Sequence, residues 1–428
     1  STRLICPETI LPMWVPPLAE IDPLRRVATT TATTTGGTSG AQASKPGADK
    51  GRRRPTLLHA STFGGTSQSR GVYGSKGDWF LDLFGFREVS YEDTQKRIKA
   101  RPLKEGASDT KWVLEGESDE HFQVGRFWTP SLRELEAAAD KLGGRARLRG
   151  KLRVYNVRGD VAEKHSDPAN RHATFQVASQ FNCLEFLGPT MVPEYGVTMY
   201  CRDRTQGPAC CLACGPATVF RNYFAEVRGT RGQRAHCQID NLERLCANLP
   251  SRAQGCIRVE GGYTMAEDGD LRLLNDGLAK LSRAQRSALR RELCIGVHED
   301  VQVTSADWGE RLVRDEQQTV TQVFGSACSV SYSGNGLALW EPFAGLVLSA
   351  SYEATLWAAL LTALRHNGQD GSRRVFLTCL GGGVFGNDLR WIIDAMEEVF
   401  DKFRDVGLEV YIVTYAGPIE RELQELER

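Results

Sequence analysis

An α/β fold is predicted by three stretches of this sequence. WEPFAGLVLSASYEATLWAALLTALRH, from Trp340 onward, has few polar residues and the length of a long buried helix. VFLTCL (375–380) and LEVYIVTY (408–415) are short apolar runs of strand length, separated by the amphipathic NDLRWIIDAMEEVFDKFRDVG. Helix, strand, glycine-rich loop, helix, strand is the alternation of parallel strands joined by right-handed crossovers.

Earlier elements follow in chain order. Residues 1–27 hold LICPETILPMWVPP, apolar enough to dock on the body, and residues 28–77 are rich in Thr, Gly, Ser and Arg. Such a composition buries too little apolar surface to offset chain entropy, so 28–77 reads as a disordered linker and its RRR as a solvated charge run. Residues 78–149 read as a helical extension: Trp79, Phe80, Leu83 and Phe84 form an apolar face, and SLRELEAAADKL opens on a Ser131/Glu134 capping box. KLRVYNV alternates like a strand and ends at Gly159–Asp160; HATFQVASQFNCLEF is a second strand candidate, PACCLACGPATVFRNYF a small-residue helix, and ACSVSYS a third strand. Residues 225–322, with GGYTMAEDGD, a helix over LRLLNDGLAKLSRAQRSALRREL and a strand in CIGVHEDVQVT, read as an insertion into the domain 150–428.

Composition narrows the function. Across 428 residues, 53 Lys+Arg balance 53 Asp+Glu, so no global field favours nucleic acid or membrane. A small ligand is the better expectation. Twelve cysteines diluted through a long chain with no signal-peptide pattern read as reduced thiols of an intracellular protein, cytoplasmic or nuclear. No apolar run of the roughly 20 residues that span a bilayer stands out. Cys210, Cys211 and Cys214, with His236 and Cys237, lack zinc-knuckle spacing, and neither a metal nor a cofactor is expected.

The site is expected at CLGGGVFGND. Gly381, Gly382, Gly383, Val384, Phe385 and Gly386 lie between a strand and a helix, where unhindered backbone N–H groups suit a diphosphate; close helix packing also needs glycine. The spacing is neither the dinucleotide fingerprint nor the Walker loop.

Several stretches together resemble the macrodomains, which bind ADP-ribose. VYNVRGDV is similar to the family's opening strand and turn, FQVASQFNCLEF to its second strand, and RTQGPACCLACGPATVFRNYF to the first loop and helix. VFLTCLGGGVFGND is most like the second loop of poly(ADP-ribose) glycohydrolases, and LEVYIVTY resembles the final strand. The resemblance covers about 150–224 and 325–416, and implies a three-layer α/β/α mixed sheet that binds ADP-ribose or an ADP-ribosylated substrate. Nucleic acid would enter only as a modified target, and no membrane is implied. Oligomeric state is not legible.

Departures bear on chemistry. Arg204, Thr205, Gln206, Gly207 and Pro208 stand where the family has a glycine run, and the Gln-Glu-Glu signature of the glycohydrolases does not follow. The resemblance makes Asp160 the adenine acceptor, although an Asp there also caps a turn. Asn182 would hold a ribose hydroxyl or a water, or simply shape a turn. Arg204, with Thr205, Gln206 and Gly207, would face the diphosphate, and Tyr415 the adenine or a sheet edge. Glu185 and Asp203 are the carboxylates that would activate water, with plain solvation as the alternative. Hydrolysis of ADP-ribosyl linkages is the leading expectation, ahead of a non-catalytic reader or an interaction scaffold.

Overall fold

The computed structural model describes residues 78–103, 110–118 and 120–428, so the docked segment and linker expected over 1–77 lie outside the described residues. A nine-stranded sheet organises the rest. Its strands are β1 (Lys99–Pro102), β2 (Trp112–Glu115), β3 (His121–Trp128), β4 (Arg153–Arg158), β5 (Thr174–Ala178), β6 (Gly296–Gln302), β7 (Thr319–Gly325), β8 (Arg374–Leu377) and β9 (Glu409–Thr414). They lie side by side as β1-β2-β3-β6-β7-β5-β8-β9-β4. Pairs from β1 to β7 are antiparallel and pairs from β7 to β4 parallel, so the sheet is mixed.

Helices cover both faces. The main ones are α1 (Trp79–Phe84), α2 (Leu132–Lys141), α3 (Val161–Ser166), α4 (Gln206–Ala213), α5 (Gly215–Tyr223), α6 (Leu337–Arg365) and α7 (Leu389–Phe403). The layering follows from strand alternation: Val375 and Leu377 enter one core with α2, α6 and α7, while Phe376 between them enters the other with α1, α4 and α5. Helix α6 is long and apolar enough to cross a membrane, contrary to the reading of the sequence, but 94% of its most apolar window is buried in the fold. Its low amphipathicity is that of a helix enclosed on all sides.

Three expectations need correction. Residues 78–149 are not purely helical, because β1, β2 and β3 extend the sheet; the Ser131/Glu134 capping box that opens α2 does form, at 2.7 and 3.2 Å. The stretch 225–322 supplies β6 and most of β7, two internal strands of the same sheet. ACSVSYS is not a strand: the β-branched TVTQVFG just before it pairs instead, and Val330–Tyr332 forms a 3-10 turn. Two expected helices also divide. Pro216 starts a new helix after Cys214, and Ser282 caps a second one with Gln285.

Candidate functional site

A cavity of about 400 Å³ opens at the carboxyl ends of β5, β7 and β8. The chain leaves β5 toward β6 on one side and reaches β8 on the other, and crevices at such switch points take ligands in open α/β sheets. The volume suits a small organic ligand.

Glycine-rich residues form one wall. Gly381, Gly383, Val384 and Phe385 line the cavity, and the N–H groups of Gly383, Val384 and Phe385 donate to no acceptor among the described residues. Gly381 has φ +72°, and a Cβ there would stand 2.5 Å from that of Ala327, so only glycine fits. The loop is held from outside. Asn387 Nδ2 donates to Cys328 O at 2.7 Å, Ser331 N–H to Phe385 O at 3.1 Å, and the Ser331 hydroxyl to Val384 O. Tyr352 of α6 ties the preceding strand end, its hydroxyl donating to Thr378 O at 2.7 Å and accepting from Leu380 N–H at 2.9 Å. Asp388 caps α7 by accepting from Arg390 N–H, so the start of that helix is already satisfied from within.

Glu185 belongs to the same lining. Its side chain is buried, lines the cavity, and has Oε1 without a hydrogen-bond partner among the described residues. Burial pushes the carboxyl well above the ordinary carboxylate range; Asp203's charge adds to the effect, and Ser179 and Arg221 offset part of it. Gly207 makes this placement sterically possible. A Cβ on it would meet Glu185 Oε2 and Ala178 O, each at 2.3 Å. Asp203 also lines the cavity and accepts Thr205 N–H at 3.0 Å. Gln206 closes the end of β5, accepting from Ala178 N–H and donating to Gln176 O, both at 2.8 Å.

The remaining candidates lie elsewhere. Asn182 does not line the cavity: it is fully buried, donating to Gln238 Oε1 (2.8 Å) and Gly261 O (3.0 Å) and accepting Leu184 N–H (3.0 Å). It fixes the turn in which Cys183 takes φ +62°. Asp160 is the N-cap of α3, accepting Ala162 N–H at 2.8 Å, and its other oxygen accepts Trp308 Nε1–H at 2.9 Å. Arg204 stacks over that indole at 4.9 Å instead of facing the cavity. Tyr415 is 66% exposed beyond the end of β9 and is not part of the wall. Gly382 and Gly386 support the loop from behind: a Cβ on Gly382 would meet Ile392 of α7 at 3.0 Å, and one on Gly386 would meet Ser331 at 3.1 Å. Cys210, Cys211 and Cys214 pack in the core, where Cys211 accepts from the buried Arg221 at 3.2 Å.

Sequence reading missed an aromatic cluster. Tyr263, Tyr332 and Phe385 line the cavity with centroids 4.9 to 5.8 Å apart, and the Tyr263 hydroxyl donates to Phe186 O at 2.6 Å. Tyr263 belongs to the 225–322 stretch, so no local pattern ties it to the glycine loop. Cys379, also on the wall, has its thiol pushed up to about 11 by burial.

No family model matches this chain, and no curated protein does. Among solved structures the chain is similar to the poly(ADP-ribose) glycohydrolase of Deinococcus radiodurans in complex with ADP-ribose, at 12% identity over 69% of this chain and 90% of that one, with TM-score 0.37. It is also similar to that of Thermomonospora curvata, at 15% identity over 70% and 83% of the two chains, with TM-score 0.34.

Proposed function

We propose that this cavity binds ADP-ribose and that the protein hydrolyses ADP-ribosyl linkages with Glu185 as the proton-transferring group. The observation that carries the proposal is that one cavity is lined both by a buried carboxyl, one oxygen of which has no partner among the described residues, and by Gly383, Val384 and Phe385, whose N–H groups donate to no acceptor among those residues. The amides suit the diphosphate, and the Tyr263, Tyr332 and Phe385 rings suit a sugar or base face. ADP-ribose is the ligand that the sequence resemblance implies.

Cleavage at an anomeric carbon passes through an oxocarbenium-like state that needs a protonated leaving group and a positioned water. Glu185, held neutral by burial, supplies the proton to the leaving oxygen; once ionised it takes one from the attacking water. Asp203, which also lines the cavity, is the carboxylate that would offset the developing positive charge. With Asp160 engaged by Trp308, the base binds only if it displaces or shares that indole.

A reader that binds without cleaving is the second reading, favoured by the missing Gln-Glu-Glu run. Calorimetry with ADP-ribose, followed by product analysis on ADP-ribosylated protein, nucleic acid and acetyl ester, separates the two. Heat of binding with release of ADP-ribose supports the hydrolase. Binding without release leaves the reader, and no binding at millimolar ligand removes both.

A further inference from the structure

At the opposite end of the sheet from the cavity, three side chains from distant segments meet. His172 precedes β5, Asp300 sits at a register shift within β6, and His366 caps the end of α6. One ligand atom from each lies within 4.8 Å of the others, the one such group of His, Cys, Asp and Glu among the described residues. We propose that His172, Asp300 and His366 bind a divalent first-row transition-metal ion of the zinc class, with Asp370 in reach as a fourth ligand.

The chemistry of the donors points that way. Two imidazoles and one carboxylate form a set typical of zinc and its neighbours, not of calcium or magnesium. His366 Nε2 is already 2.8 Å from Asp300 Oδ1. His172 Nδ1 lies 3.1 Å from Thr319 Oγ1, and in the tautomer whose Nδ1–H donates to that hydroxyl the Nε2 lone pair is left for a metal, 3.8 Å from Asp370 Oδ2. The two rings stack at 3.9 Å and 14°.

Backbone conformation is unusual at the same place. Of the eight non-glycine residues with positive φ among the described residues, four are His172, Asp300, Asn367 and Asp370. Such backbone persists where the surroundings over-determine it, often at ligand sites. Two cations face the cluster. Lys111 Nζ lies 2.9 Å from Asp300 Oδ2 but is half exposed and free to swing away, and Arg171 adds its charge near His172. Tetrahedral zinc spaces its ligand atoms about 3.3 Å apart, so the group closes by ring rotation when the ion enters.

The test uses the full chain, stripped with chelator and titrated with Zn²⁺ by calorimetry and with Co²⁺ by visible absorption. One ion per chain, a raised Tm, and a Co²⁺ spectrum without thiolate charge transfer are expected. Asp300→Asn and His172→Asn, chosen because Asn tolerates a left-handed backbone, should each weaken Zn²⁺ by at least about tenfold. His366→Gln serves if either variant misfolds. ADP-ribose affinity should not change. Absence of stoichiometric Zn²⁺, binding unaltered in these variants, or a thiolate band would each overturn the proposal.

Discussion

Glu185→Gln perturbs the proposed chemistry with the least structural change. The amide keeps the shape that Gly207 admits and removes only the transferable proton. A general acid and base of this kind contributes about 10²- to 10⁴-fold in rate, or about 3–5 kcal/mol of barrier. ADP-ribose affinity should stay near wild type, because the loop amides and the aromatic wall are untouched. In the wild type, kcat should fall as pH rises through the raised pKa of Glu185, since the leaving group then lacks its donor. Stability follows the same titration. A carboxyl raised in the fold binds its proton more tightly there than in the unfolded chain, so stability is lost as pH climbs from the ordinary glutamate value of about 4.3 through the folded pKa. Gln cannot ionise, so the Tm of the variant should gain on wild type across that window. Turnover by single-turnover kinetics and Tm by scanning calorimetry, each from acidic to alkaline pH, provide the readings. A variant with wild-type turnover, or a Tm difference flat with pH, would refute the role assigned to this buried acid.

Gly383→Glu should abolish ADP-ribose binding in calorimetry with little change in Tm, because a side chain there has open space and stands on the cavity wall. Gly207→Ala should lower both binding and turnover, since its Cβ would displace Glu185 and the end of β5; unchanged kinetics would show the carboxyl to be placed otherwise. Asn182→Ala should cost roughly 2–4 kcal/mol in urea denaturation, as a buried amide with three hydrogen bonds leaves its partners unpaired. Asp160→Ala should cost about 1 kcal/mol by the same measure through loss of the α3 cap.

Elements with strong local patterns were legible in the sequence. The capping box at Ser131, the strands of the last hundred residues and the glycine loop announce themselves within a dozen residues. What was illegible depends on contacts across the chain. Asp160 after Gly159 looks the same whether its carboxylate meets an adenine or an indole, and Trp308 lies 148 positions away. Asn182 and Glu185 are three residues apart in one apolar run, yet a tight turn sends one into a hydrogen-bond network and the other to the cavity. The strand in CIGVHEDVQVT was legible and is β6, but its place inside the main sheet was not, and TVTQVFG (β7) escaped notice because an insertion and an internal sheet strand share one composition. Tyr263 was missed for a related reason: GGY is an ordinary turn until the chain folds it against Phe385.

The placement of β5 sets a schedule for synthesis. Its neighbours on both sides, β7 and β8, are encoded far downstream, at 319–325 and 374–377, while β5 ends at Ala178. At about 5–20 residues per second, a ribosome exposes this apolar strand roughly 10–40 s before both edges can be paired. Both strand edges stay unsatisfied until β7 is made and one until β8 is made, and the cavity they will frame does not yet exist. Yield of folded protein should therefore respond to translation speed and to chaperones that shield nascent strands.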